Sequence, residues 1–169
     1  MGNYEKVLDV FLDNPTGKFY IREIARITKL NPNTVLNLVS KLEKKKLIKR
    51  EKKKHIVEIS ADINENFKRL KRIENLRKLY DSGLIDFLKK ELKPELISVI
   101  GSYSSGEDIK KSDIDIVVIA KKKEIDLEKF ERKLGRKIHL LVVDYNKMSD
   151  EFYTNLINGV VLHGYIKKK

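Results

Sequence analysis

Apolar residues recur three and four apart in some stretches of the chain and run together or alternate in others, which separates helices from strands. Tyr4, Val7, Leu8, Phe11 and Leu12 predict a first helix over residues 4–12, ended by Asn14-Pro15-Thr16-Gly17. Phe19-Tyr20-Ile21 is a short extended piece, and residues 22–28 predict a second helix with Ile21, Ile24, Ala25 and Ile27 or Leu30 inward. Asn31-Pro32 supplies an N-cap and a first helical position for a third helix to about residue 45, with Val35, Val39 and Leu42 inward. Residues 47–50 and 55–60 predict two strands flanking a basic hairpin tip, Glu51-Lys52-Lys53-Lys54.

Residues 61–80 predict one amphipathic helix with Ile63, Phe67, Leu70, Ile73, Leu76 and Tyr80 as its apolar stripe and basic residues between them. That stripe needs a cover, either the following domain or its twin in a homodimer. Asp81-Ser82-Gly83 breaks the helix, and residues 84–92 form another. The rest of the chain alternates. Strands are predicted over residues 96–100, 112–119, 137–143 and 160–165. Helices are predicted over 126–134, ended by Gly135, and over 149–157, capped by Ser149 with Phe152, Leu156 and Ile157 inward; 167–169 is a basic tail. The reading is an α+β chain of two domains, residues 1–60 and 81–169, joined by the helix 61–80.

Charge sharpens this division. The net charge is +12 over 169 residues. Residues 1–60 hold fourteen basic against seven acidic residues and so carry +7 of it. A basic block of this kind favours a polyanionic partner. There is no cysteine, which excludes disulfides and thiolate metal sites. No leader and no membrane-spanning apolar run is apparent, so a cytoplasmic protein without a membrane partner is expected.

The candidate chemistry lies between the strands at 96–100 and 112–119. Gly101-Ser102 lets the backbone turn and bares its N–H groups, and Gly106 is a second flexible point. In Ser112-Asp113-Ile114-Asp115 the two carboxylates stand two apart, on one face of a strand. They repel each other unless a cation sits between them, and Mg²⁺ takes such oxygens together with substrate phosphates. Gly101-Ser102, Gly106-Glu107 and Ser112-Asp113-Ile114-Asp115 in this register resemble the signature of the nucleotidyltransferases related to DNA polymerase beta, in particular their minimal branch. The resemblance covers the second half of the chain. It implies a small mixed-sheet nucleotidyltransferase fold, Mg²⁺ on Asp113 and Asp115, and ATP or another nucleoside triphosphate held at Gly101, Ser102, Gly106 and Ser112. Active relatives carry a third acidic residue at the place matched here by His139. Histidine can ligate a metal or act as a base, but lacks the charge that Mg²⁺ prefers. His139 is therefore grouped with Asp113 and Asp115 as a candidate catalytic residue, in a domain expected to bind a nucleotide with weak or no turnover.

The first sixty residues resemble a winged helix-turn-helix DNA-binding domain, through Tyr20-Ile21-Arg22-Glu23-Ile24-Ala25, Asn33-Thr34-Val35, and Leu42-Glu43 followed by Leu47-Ile48. Lys46 stands where many such domains have glycine. The resemblance implies double-stranded DNA as partner. The outer face of the third helix, with Asn33, Thr34, Asn37, Lys41 and Lys44, would meet base edges and backbone in a major groove. Arg50, Lys52, Lys53 and Lys54 would neutralise phosphates. Three functions remain open on these residues: a DNA-binding regulator with a nucleotide-binding domain, an active Mg²⁺-dependent nucleotidyltransferase with a nucleic acid, protein or small molecule as acceptor, and an antitoxin-like partner-binding protein.

Overall fold

The structure is a computed structural model that describes residues 2–167; Lys168 and Lys169 of the predicted tail lie outside the described residues. The chain is α+β and divides into two compact units, Met1–Lys71 and Arg72–Lys169. Each unit has its own apolar core.

The first unit contains α1 (Asn3–Asp13), β1 (Lys18–Phe19), α2 (Ile21–Thr28), α3 (Pro32–Lys44), β2 (Ile48–Lys53) and β3 (Ile56–Ala61). The Asn31 side chain accepts from the N–H of Asn33 at 2.9 Å, so α3 starts where the Asn-Pro pair predicts. Val35, Val39 and Leu42, spaced four and three apart, are fully buried. Phe11 meets Phe19 edge to face at 5.5 Å in the same core. The three strands are antiparallel in the order β1-β3-β2. Lys46 adopts φ 56°, the left-handed region, and its N–H donates to Glu43 O at 2.8 Å. The α3–β2 turn thus keeps a geometry that favours glycine while carrying a lysine.

One predicted detail of this unit changes. β2 runs on through Glu51, Lys52 and Lys53, so the hairpin tip is Lys54-His55 rather than residues 51–54. Cross-strand pairing with β3, down to Lys53 opposite Ile56, overrides the weak strand propensity of the charged run.

The helix predicted over 61–80 is α4 (Glu65–Ser82), capped by Asn64, whose Oδ1 accepts from Phe67 N at 3.1 Å. Its covered face is the predicted stripe only in part: Phe67 is buried, and Leu70 and Leu76 are half-buried against the cores. Ile63, ahead of the helix, is 51% exposed, and Ile73 and Tyr80 on it are 60% and 51% exposed, while Phe67, Lys71, Asn75 and Leu79 are buried at four-residue spacing. Two polar residues replace apolar ones because each finds a partner. Lys71 Nζ donates to Leu12 O at 2.6 Å in the first unit, and Asn75 Nδ2 donates to Tyr103 O at 2.9 Å in the second.

The second unit continues with α5 (Leu84–Leu92), β4 (Leu96–Ile100), α6 (Gly101–Ser105), β5 (Ile114–Ile119), α7 (Glu128–Leu134), β6 (Ile138–Val143), a 3-10 turn (Tyr145–Lys147), α8 (Asp150–Ile157) and β7 (Val160–Gly164). The sheet order is β6-β5-β4-β7, with β4 antiparallel to both neighbours and β5 parallel to β6. The parallel pair requires a crossover, which α7 supplies. Side chains alternate between two cores. Ile97, Val99, Ile114, Ile116 and Val118 pack with Leu84, Leu88 and Phe130; Leu96, Val117 and Ile119 pack with Met148 and Leu156. Covering on both faces explains the uninterrupted apolar runs of β4 and β5. Ile157, predicted inward on α8, is 50% exposed. β5 begins at Ile114 rather than Ser112, so Asp113 lies in the loop just ahead of the strand.

Candidate functional site

Strand register assembles the site. Ile100 at the end of β4 pairs with Asp115, and Asp115 pairs with His139 across the parallel β5–β6 ladder. Asp115 shares the parity of Val117 and Ile119, so it projects on the face that α8 covers further along the sheet. His139 Nδ1 lies 3.1 Å from Asp115 Oδ1, with side-chain exposures of 60% and 35%. The other oxygen of the carboxylate lies over the β4–α6 turn. Gly101 has φ 68°, and a Cβ placed on it would stand 3.0 Å from Asp115 Oδ2. The turn therefore requires glycine for its backbone and leaves just enough room for the carboxylate.

The structure thus brings Gly101, Asp115 and His139 together, with Ser102 in the first turn of α6. Gly106 ends α6 in a left-handed conformation. Ser112 Oγ accepts from Ile109 N at 3.0 Å, so this hydroxyl braces the loop. Asp113 is exposed at the end of that loop. Among the described residues no three His, Asp or Glu side chains converge as a metal cage. The donors fit a divalent ion that keeps one or two carboxylates and fills its shell from phosphates and water. They do not fit an all-protein cage.

The profile of the family described as Polymerase beta, Nucleotidyltransferase matches residues 82–166, half of the chain. The chain belongs to this family. The nucleotidyltransferase domain holds its site loop by a set of contacts that no sequence pattern singles out. Arg136 Nη2 lies 2.9 Å from Asp108 Oδ2, and these side chains are 9% and 0% exposed. Asp108 Oδ1 accepts from Asn75 Nδ2 at 2.7 Å. Arg136 Nη1 donates to the carbonyls of Ile109 and Ser112. Nothing local in the sequence marks these residues, because a charged residue reads as surface until its partner is known.

The start of β6 is braced separately in this domain. Glu131 of α7 accepts from Ile138 N at 3.0 Å and pairs with Lys137 at 2.8 Å. The Lys137 contact, followed by the Ile138 N–H bond, holds the Glu131 carboxyl below its ordinary range, and Glu131 raises Lys137 in turn.

On the first unit, Asn33, Asn37, Lys41 and Lys44 are exposed along α3, and Thr34 is half-buried. Lys52 and Lys54 are exposed on the hairpin. The other two predicted phosphate contacts are engaged within the unit. Arg50 Nε lies 3.1 Å from Glu43 and its Nη2 donates to Ser40 Oγ at 2.6 Å. Lys53 pairs with Glu58 at 2.8 Å, which lowers the Glu58 carboxyl and raises Lys53. Among solved structures, a mutant of Lactococcus lactis ZitR is similar at 16% identity and a TM-score of 0.40, over 51% of this chain and 60% of that one. No match was found among curated proteins. Among the described residues no helix is long and apolar enough to cross a membrane.

Proposed function

We propose that the protein is a DNA-binding regulator whose nucleotidyltransferase domain binds a Mg²⁺–nucleoside triphosphate. The observation that supports the nucleotide half is the position of Asp115, with one carboxylate oxygen at His139 and the other above the Gly101 turn. Asp115 and the nearby Asp113 would hold the ion. Bound Mg²⁺ neutralises phosphate charge and polarises the phosphoryl oxygens. Gly101 and Ser102 would meet the phosphates through the free N–H groups at the start of α6. Gly106 and Ser112 shape the loop that faces them. With ATP as probe, wild-type affinity is expected to rise on adding Mg²⁺, and Asp115→Asn to lose about tenfold or more of that rise. Equal titration curves for the two proteins, or no ATP binding by the wild type, would remove this reading.

The DNA half is supported by the order and antiparallel pairing of the first unit, helix–strand–helix–helix–hairpin, the order that a winged helix would have. Its charge of +7 over residues 1–60 and the polar exposed face of α3 fall in the same unit. Double-stranded DNA would take α3 in its major groove and the hairpin against its backbone. Because Arg50 and Lys53 are paired internally, Lys52 and Lys54 are the contacts to test. Lys52→Glu with Lys54→Glu is expected to weaken DNA binding and to reduce the slope of log affinity against log salt by roughly two. An unchanged slope places the wing away from phosphate.

A second reading, turnover, is favoured by the geometry of His139. In the neutral tautomer with Nδ1–H donating to Asp115, Nε2 is the basic atom, on a ring that is 60% exposed. Such an atom can take the proton of an acceptor hydroxyl as its oxygen attacks the α-phosphorus and pyrophosphate leaves.

A further inference from the structure

We infer that Arg136 and Asp108 are positioning residues that set the place of Asp113, and with it the Mg²⁺-dependent part of nucleotide binding. The inference rests on the nucleotide reading above and goes beyond it by assigning the residues that make the site rigid. The loop from Gly106 to Asp113 has no strand or helix to hold it. Its backbone groups must be satisfied by turn and side-chain contacts instead of a ladder. Arg136 does this from the opposite side of the domain's sequence. Its guanidinium reaches Ile109 O and Ser112 O with one nitrogen and Asp108 with the other. It also lies over the ring of Tyr103, 5.7 Å from the centroid.

The Ser112 carbonyl belongs to the peptide unit that enters Asp113. Fixing that oxygen fixes the direction in which the Asp113 backbone leaves the loop. Asp108, with no exposed side-chain surface, is anchored by Asn75 from α4, and Asn75 also donates to Tyr103 O in α6. The same network thus fixes α6, which carries Gly101 and Ser102, and the loop, which carries Asp113. Arg136 stands three residues before His139, on the turn that leads into β6. One guanidinium therefore references the loop carboxylate to the strand that bears the histidine.

Only arginine's planar fork can serve three acceptors in this way. Lysine keeps the charge but offers one nitrogen. Arg136→Lys is accordingly the informative substitution, with Asp108→Asn as a milder variant that retains size and an acceptor oxygen. In the ligand-free protein, backbone amide signals of residues 109–113 are expected to shift and broaden in Arg136→Lys, whether or not the site takes a nucleotide. Unchanged signals overturn the positioning role directly. With ATP as probe, Arg136→Lys and Asp108→Asn are each expected to reduce the Mg²⁺-dependent gain in affinity by about tenfold or more. Affinity without Mg²⁺, which would rest on Gly101 and Ser102, should change far less, because Asn75 still holds Tyr103 O of α6 in both variants. A role confined to general stability would move both conditions together, and that outcome overturns the inference.

The double variant with Asp113→Asn closes the test. If Arg136 acts through Asp113, the pair is no weaker than Asp113→Asn alone; additive losses overturn the inference. A wild type whose ATP affinity ignores Mg²⁺ overturns the underlying function instead. The amide signals tell the two failures apart.

Discussion

Gly164→Ala is expected to detach β7 from the sheet. Gly164 has φ 76°, pairs with Leu96 across the β4–β7 ladder, and lies against the chain that enters β4. A Cβ there would stand 1.9 Å from Glu95 O and 2.9 Å from its carbonyl carbon. Both are backbone atoms of a chain held in the ladder, so neither can swing aside as a side chain would. The left-handed conformation adds its own penalty of about 1–2 kcal/mol for a residue with a Cβ. With overpacking of a further 1–3 kcal/mol, roughly, the second unit should lose about 3 kcal/mol or more. Gly83→Ala is the matched control. Gly83 has φ 81°, and a Cβ placed on it would meet nothing within 4 Å, so only the same conformational penalty of about 1–2 kcal/mol applies. Urea titrations followed on amide signals of β4 and β7 compare the two. Coincident midpoints would show that β7 yields freely and that the close approach has no consequence.

Lys71→Ala is expected to weaken the first unit to a similar extent. Lys71 is 1% exposed, yet it is a lysine, and its ammonium donates to Leu12 O at 2.6 Å near the end of α1. Truncation removes a charge-assisted bond, leaves a helix-end carbonyl buried without that donor, and empties the space of the alkyl stem. The hydrogen bond to a charged donor contributes about 1.5–3 kcal/mol, and the cavity adds to it. A loss of about 3 kcal/mol follows, seen as faster amide exchange throughout α1 and α3. Lys71→Met refills the space without restoring the bond, and so should recover part of the loss and no more. If Lys71→Ala lies within about 0.5 kcal/mol of wild type, the lysine is a passenger, as an exposed one would be.

These two residues mark where the sequence is legible and where it is not. Helices α1 and α3 and strands β4 and β5 follow from local spacing, because apolar positions at intervals of three and four, or in a short run, leave few alternatives. The resemblance, not the spacing, points to His139, and the β5–β6 register sets it opposite Asp115. The covered face of α4 is legible only in part. Lys71 and Asn75 read as outward residues, and Ile73 and Tyr80 as inward ones, until Leu12 O and Asp108 are known to lie opposite the former pair. The Asp108–Arg136 pair is hidden for the same reason, since its members stand far apart in the chain. Ser112 reads as the first residue of a strand, but Arg136 claims its carbonyl and leaves it in the loop. Arg50 and Lys53 read as free cations on the hairpin, although Glu43 and Glu58 engage them.

The border position of β6 gives the two halves of the candidate site unequal lifetimes. Asp115 sits in an inner strand with ladder partners on both sides, whereas His139 sits in an outermost strand whose only ladder partner among the described residues is β5. Frontier strands open by local fluctuation more readily than those they flank. Each such excursion withdraws the imidazole and leaves the carboxylate where it was, so under the proposed function a ligand held at Asp115 would outlast the departure of His139.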